Sequence, residues 1–303
     1  MYDDKGSGSD DLPELDSLGS GDGGMKAWTH KIFSKAETII PVILIVLFLL
    51  FFAFSYLNVN PNSVPLIGGF LSELVGSEKA QVLILGAPQL GTIELFKSDE
   101  GFYNKYSFSY RAPLNMTNNP SDMLSIYDIV LLDQSEDPNK ELPDSLALAL
   151  QSYVKSGNSL IVVGNSGIHK SGRPDVVGWE GVLSSDLAPV DCQSNLAASS
   201  PCMNMEIISG YLENNYTQED LFEGMERIPK IDMGGALTFT TYNVNTTRGA
   251  KVYYSLHNNE LGGIQYPAVV YKTVNMVGNV VYFNYQEVWK TPELLDKVMQ
   301  DIS

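Results

Sequence analysis

Four short apolar runs mark the chain beyond residue 79, each closed by a polar or glycine-rich turn: "AQVLILGAP" (80–88), "YDIVLLDQ" (127–134), "NSLIVVGNSG" (158–167) and "NVVYFNYQ" (279–286). Unbroken apolar runs of this length suit strands buried on both faces, as parallel sheets require. Between the second and third runs, Leu142, Leu146, Leu150 and Val154 recur every four residues, with Ala149 and Tyr153 beside them. That spacing predicts a helix face. Pro143 suits an early helical position, and Gly157 the position just past the helix end. Strand, helix and strand joined by a short return make a βαβ unit, hence parallel strands and a right-handed crossover. The chain closes on "TPELLDKVMQDI" (291–302), where Leu294, Leu295, Val298, Met299 and Ile302 form an apolar face. Thr291 is its expected cap, and Pro292 fits its first turn.

A long polar, glycine-rich stretch follows Gly164, and Trp179 in "GWEGVL" is expected to pack a short helix there. From 203 to 277, β-like pieces alternate with turns: "MEIISGYL", "ALTFTTYNV", "KVYYSL" and "PAVVYKTV". The pattern predicts an α/β fold, a flavodoxin- or Rossmann-like three-layer parallel sheet with a β-rich insertion or edge. The aromatic segments "GFYNKYSFSYR" (101–111) and "VYYSL" (252–256) read as core and cross-strand pairs at β spacing, with a sugar-binding platform as the alternative.

The first part of the chain is of another kind. Residues 1–24 hold seven acids and one Lys among many Gly and Ser, a composition that cannot offset the entropy of ordering. They read as a disordered acidic tail. Residues 25–37 form a basic juxtamembrane segment containing Lys26, Lys31 and Lys35. "TIIPVILIVLFLLFFAFSYL" (38–57) carries no charge and is long enough, at ~1.5 Å per residue, to cross a bilayer as one helix. Residues 58–78 read as a stalk and 79–303 as the folded domain. The lysines before the span, and none after it until Lys79, place the tail in the cytoplasm and the domain outside. The expected location is therefore the cell membrane, with a single pass and the bilayer as a partner.

A net charge of −17, with no cluster of Lys and Arg in the domain, excludes a nucleic-acid partner. Cys192 and Cys202 are the two cysteines of the chain. In an oxidising compartment they pair and close a short loop worth about 2–3 kcal/mol; the alternative is two free thiols. With three histidines in the chain, neither a metal site nor a cofactor is expected. Glycosylation triplets stand at Asn115, Asn215 and Asn245.

Ligands of open α/β sheets sit beyond the carboxyl ends of the strands. Those ends carry Gln89, Asp133, Gln134, Asn165, Ser166, Tyr285 and Glu287, the candidate pocket. The series "YDIVLLDQ", helix, "VKSGNSLIVVGNSG", "GWEGVL", "LFEGMERI" and "YPAVVYKTVNMVGNVVYFNYQ" resembles the class I glutamine amidotransferase-like superfamily over roughly residues 79–303. The resemblance is nearer to its non-amidotransferase branches, such as ThuA-like and glycosidase-associated domains. It implies a nucleophilic Cys in the turn after "SLIVV" and a His and Glu after "VVYFNY". Here the turn is Gly164–Asn165–Ser166–Gly167 and the later segment Asn284–Tyr285–Gln286–Glu287, so only Glu287 corresponds.

Two weaker catalytic arrangements remain. Ser166 would need His169 as its base, although "GNSGI" departs from the G-x-S-x-G elbow. Asp133 and Glu287 would serve as paired carboxylates, as in glycoside hydrolysis. Asp128 precedes its strand and belongs at the other end of the sheet. The reading that follows is an anchored binding or scaffold domain, with another envelope or membrane protein or a glycan as partner. The alternative is an extracytoplasmic hydrolase acting on carbohydrate or another envelope substrate.

Overall fold

The computed structural model describes residues 79–192, 201–216, 222–230, 236–259 and 264–303. The tail, juxtamembrane segment, span and stalk, residues 1–78, lie outside these. Among the described residues no helix is long and apolar enough to cross a membrane.

Ten strands form one sheet: β1 (Ala80–Leu85), β2 (Tyr106–Arg111), β3 (Ile129–Leu132), β4 (Ser159–Val163), β5 (Met205–Asn214), β6 (Arg227–Ile228), β7 (Leu237–Tyr242), β8 (Lys251–Asn258), β9 (Gln265–Val274) and β10 (Gly278–Phe283). The order is β6-β5-β8-β9-β10-β4-β3-β1-β2, with β7 paired to the first half of β5. β2, β1, β3, β4 and β10 are parallel to one another, in the 2-1-3-4-5 order of doubly wound sheets. The remaining strands are antiparallel. They are an insertion in sequence, between β4 and β10, and an extension of the sheet in space.

The parallel runs are buried on both faces because helices cover both. α1 (Leu90–Ser98), α2 (Glu100–Lys105) and α6 (Pro292–Ile302) pack Leu95, Phe96, Phe102, Leu294, Leu295, Val298 and Met299 against Ile129, Leu131, Ile161 and Val163. α3 (Pro120–Leu124), α4 (Asp144–Lys155) and α5 (Trp179–Val182) cover the alternate residues Val130, Leu132, Leu160 and Val162. Strict alternation of side chains along each strand divides one apolar run between two cores. The expected helix is α4, whose inward face is Leu146, Ala147, Leu150, Tyr153 and Val154. Gly157 follows its C-cap at φ +103°, where a side chain would be strained. Trp179 is buried in α5, as its neighbours predict.

Three expectations change. Leu142 is not on α4 but in a two-residue strand, Glu141–Leu142, that joins His169–Lys170 and Arg173–Val177 in a small separate sheet. Residues 100–105 are helical, because the Asp99 carboxylate accepts the Phe102 N–H at 3.2 Å and caps α2; only 106–111 is a strand. Thr291 stands at the N-cap of α6 without bonding its amides. Its hydroxyl instead donates to Val288 O and pairs with the Tyr285 hydroxyl at 2.9 Å.

The two cysteines form the disulfide Cys192–Cys202, with Cα atoms 5.3 Å apart. It ties the loop after α5 to the start of β5.

The β9–β10 hairpin rests directly on the end of α4. A Cβ added to Gly278 would lie 1.9 Å from Val154 O, a backbone atom with nowhere to move. Gly278→Ala is expected to lose about 2 kcal/mol or more in urea unfolding of the purified protein.

Candidate functional site

Three strand ends build the region where a ligand of this fold would sit. After β3 come Asp133 and Gln134, both fully buried. The Gln134 side chain is a connector. Its Oε1 accepts the Gly167 N–H at 2.7 Å, and its Nε2 donates to Glu141 O at 3.1 Å and to Asp137 Oδ2 at 3.2 Å. The Gln134 backbone N–H donates to Ser166 Oγ at 2.7 Å. Ser166 is fully buried, and its carbonyl accepts the Trp179 indole N–H at 2.8 Å.

The turn after β4 begins at Gly164, in the left-handed region at φ +55°. Side chains lie directly over it. A Cβ there would meet Gln286 Cγ at 3.1 Å and Tyr242 Cε2 at 3.2 Å. Tyr242 ends β7, and a whole set of bonds docks this strand on the segment after β10. Glu287 accepts the Thr240 N–H at 2.8 Å through one carboxylate oxygen and the Thr240 hydroxyl at 2.6 Å through the other. The Gln286 N–H donates to Thr240 O, and Thr241 forms an antiparallel bridge with Tyr285. The Asn284 amide donates to Tyr242 O at 2.9 Å and accepts the Tyr242 N–H at 3.2 Å. Gln286 Nε2 donates to the Tyr242 hydroxyl. Each of Asn284, Tyr285, Gln286 and Glu287 thus holds β7 in place across the strand ends.

The candidate residues fall into three groups. Ser166 is buried behind the Gln134 amide. His169 is half-buried in its own short strand, and burial lowers its imidazole pKa. Among the described residues no hydrogen bond joins the two. Tyr285 is a core residue whose hydroxyl is spent on Thr291, while Asn165 is half-buried and its Oδ1 has no partner. Gln89 stands outside on the rim and accepts the Trp289 indole N–H at 2.9 Å. Beside it Leu90 is 68% exposed and the Trp289 residue 37% exposed.

Asp133 is the carboxyl of this site whose pKa burial shifts. Its Oδ1 accepts from the Ser135 hydroxyl at 2.5 Å and from the Ser135 N–H at 3.0 Å; its Oδ2 has no partner. Burial pushes its pKa up to about 6, although the Ser135 bonds and the Lys140 charge pull the other way. The Lys140 ammonium, itself lowered by burial, is committed to the carbonyls of Gln134 and Ser135. Asp133 and Glu287 do not meet. β4 stands between their strands, so two strand spacings, about 10 Å, separate β3 from β10. Among the described residues no cluster of three His, Cys, Asp or Glu offers a metal site.

All three sequon asparagines are exposed. At Asn215, however, the Nδ2 donates to Ser255 Oγ at 2.9 Å and to Val252 O at 3.1 Å, bonds that a glycan on that atom would disturb.

Sequence reasoning missed Tyr242 and Thr240. The available signal was the run Asn284–Glu287 itself: four hydrogen-bonding side chains straight after an apolar strand suit the docking of another segment as well as they suit chemistry.

No protein-family model matches the chain, and no curated protein matches it in sequence. Several solved structures are similar in fold. A β-galactosidase from Bacillus circulans sp. alkalophilus matches over 78% of this chain and 33% of its own, at 10% identity and a TM-score of 0.45. The chain therefore spans about a third of that enzyme's length. A ThuA-like protein from Parabacteroides merdae ATCC 43184 matches over 68% of this chain and 79% of its own, at 11% identity and 0.45. A glutamine amidotransferase from Thermotoga maritima matches over 74% and 85%, at 8% identity and 0.34.

Two predictions follow from these bonds. Glu287→Ala leaves the Thr240 N–H and hydroxyl unpaired. It is expected to cost about 2–4 kcal/mol in chemical denaturation, with Glu287→Gln milder because an amide oxygen still accepts one of them. For Asp133, the folded state binds its proton more tightly than the unfolded chain, so this carboxyl's contribution falls as pH rises through the window from 3.8 to about 6. The stability difference between Asp133→Asn and the parent should therefore shift in favour of the variant by about 3 kcal/mol between acidic and neutral pH, read by urea titration at each pH.

Proposed function

We propose that the chain is a single-pass membrane protein whose α/β domain, on the extracytoplasmic side, binds or scaffolds another envelope protein or a glycan. The observation that carries this reading is the docking of β7. The segment that the amidotransferase resemblance would supply with His and Glu is wholly engaged in holding a strand of the same chain. Tyr242 and Gln286 lie over the turn where the nucleophile would stand. The side chains left on the rim, Gln89, Leu90 and Trp289, offer amide and apolar surface suited to contact and carry no nucleophile.

A second reading, an extracytoplasmic hydrolase, draws on Asp133 alone. A carboxyl with its pKa raised to about 6 has the character of a general acid. It ranks below the first because Asp133 is sealed from solvent, and its strand is too far from that of Glu287 for a close retaining pair.

The test is photocrosslinking of the full chain in its native membrane, with the reactive group placed at Leu90 or Trp289 and, as a control, at Leu148 on the outer face of α4. A discrete adduct from the rim positions and none from Leu148 is expected. Equal labelling at all three, or glycan turnover by the purified chain that Asp133→Asn abolishes, would overturn the binding reading.

A further inference from the structure

The sheet has two ends, and the second carries a feature that the strand-end site does not use. Because β1, β2, β3, β4 and β10 are parallel, their starts lie together, at the opposite end from Asp133 and Glu287. Lys79, where the described chain begins, is at this end. So are the C-terminus of α4 and the β9–β10 turn.

Beside them opens a groove of about 590 Å³. Its walls carry Lys155, Arg248 and Lys272, with Glu180, Asp186 and Asn275. Lys272 is its fixed floor. Its ammonium is buried and donates to Ser185 O at 2.8 Å, Ala188 O at 3.0 Å and Thr247 Oγ1 at 3.1 Å, so all three of its protons are used. Lys155 and Arg248 are exposed at the mouth, as are Glu180 and Asp186. The lining thus presents cations and carboxylates side by side.

Next to Asn275, Met276 projects from the hairpin tip with 93% of its surface exposed. Both residues take left-handed backbone, at φ +52° and +65°. Glycine or asparagine fits such a turn readily, whereas methionine is costly there, both in strain and in exposed apolar surface. Among the described residues nothing covers its side chain.

We propose that this end of the domain docks on the phospholipid headgroup layer, with lipid phosphate on Lys155 and Arg248, headgroup ammonium against Glu180 and Asp186, and Met276 entering the interface. The chain itself argues for this occupant. The 78 residues before Lys79 contain a charge-free apolar stretch at 38–57, and the 21 residues at 58–78 lead to the same end of the sheet as the groove. Fully extended, such a connector reaches no more than about 70 Å, so the domain stays near the surface. The inference rests on the single-pass reading above. Each cationic side chain near an anionic phospholipid surface strengthens attachment about fivefold, and a protruding apolar tip adds to it.

The full chain is reconstituted in vesicles of phosphatidylethanolamine and phosphatidylglycerol that carry brominated acyl chains. A bimane fluorophore is attached at Met276→Cys and, in a separate sample, at Asn139→Cys on the loop after β3. Quenching several-fold stronger at 276 than at 139 is expected. It should fall by at least fivefold when Lys155→Glu and Arg248→Glu are combined with the label at 276, and circular dichroism should show the fold retained. Equal quenching at the two positions, in chains that float with the vesicles, overturns the docking and leaves the anchor standing. Chains that fail to float, or that are extracted by alkaline carbonate, overturn the anchor and the docking together.

Discussion

The docking of β7 on Asn284–Glu287 is the constraint on which the rest of the domain depends. A doubly wound sheet normally leaves the carboxyl ends of its strands open, because the loops there are short and backbone amides point outward. In this chain the inserted antiparallel strands β5 to β9 include Leu237–Tyr242, which returns across that opening. The bonds holding it include one carboxylate with both oxygens engaged, and such bonds are strong only because the site is dry. Asp133 lies two strands away, and its own burial raises its pKa.

Burial can perturb a group without making it functional. Asp133 meets the criterion by which acid–base residues are sought, a carboxyl shifted by burial near the end of a strand. Reaction needs more: access and a partner at working distance. Ser135 takes one of its oxygens, and the other faces protein. A buried acid with an unpaired oxygen costs stability, so its retention calls for a reason. Its own loop supplies one: the Asp133 carboxylate accepts from Ser135 and anchors the turn that Lys140 closes from outside.

Much of the fold was legible because burial on two faces leaves a plain mark. The stretches Val82–Leu85, Ile129–Leu132, Leu160–Val163 and Val280–Phe283 have no charged or amide residue inside them, and each lies in a parallel strand. The antiparallel pieces were legible as short β-like runs separated by turns. The short helices α1, α2 and α3 were not. α1 buries just Thr92, Leu95 and Phe96 over nine residues, too few for a period to show. α2 was hidden because its aromatic residues suit a strand equally well, and the Asp99 cap alone tips the balance. The strand-end residues were identified correctly by position. What they touch was not legible, because Thr240 and Tyr242 are more than 40 residues away in sequence and reach Glu287 and Asn284 only through the fold.

The two ends of the sheet then take different roles from one asymmetry. At the carboxyl end, polar side chains point at one another and are satisfied, which is the arrangement of a core and gives rigidity. At the amino end, Lys155, Arg248, Glu180 and Asp186 reach solvent around a groove whose floor is locked by Lys272, and a methionine stands exposed on a turn that disfavours it. Unspent charge and unspent apolar surface, held by a rigid floor, are what a contact surface requires, because little further ordering is lost on binding. Among the described residues, β7 closes the carboxyl end of the sheet, and the amino end carries exposed charge around a groove. One continuous ladder from β2 to β6, among these described residues, ties the sheet together.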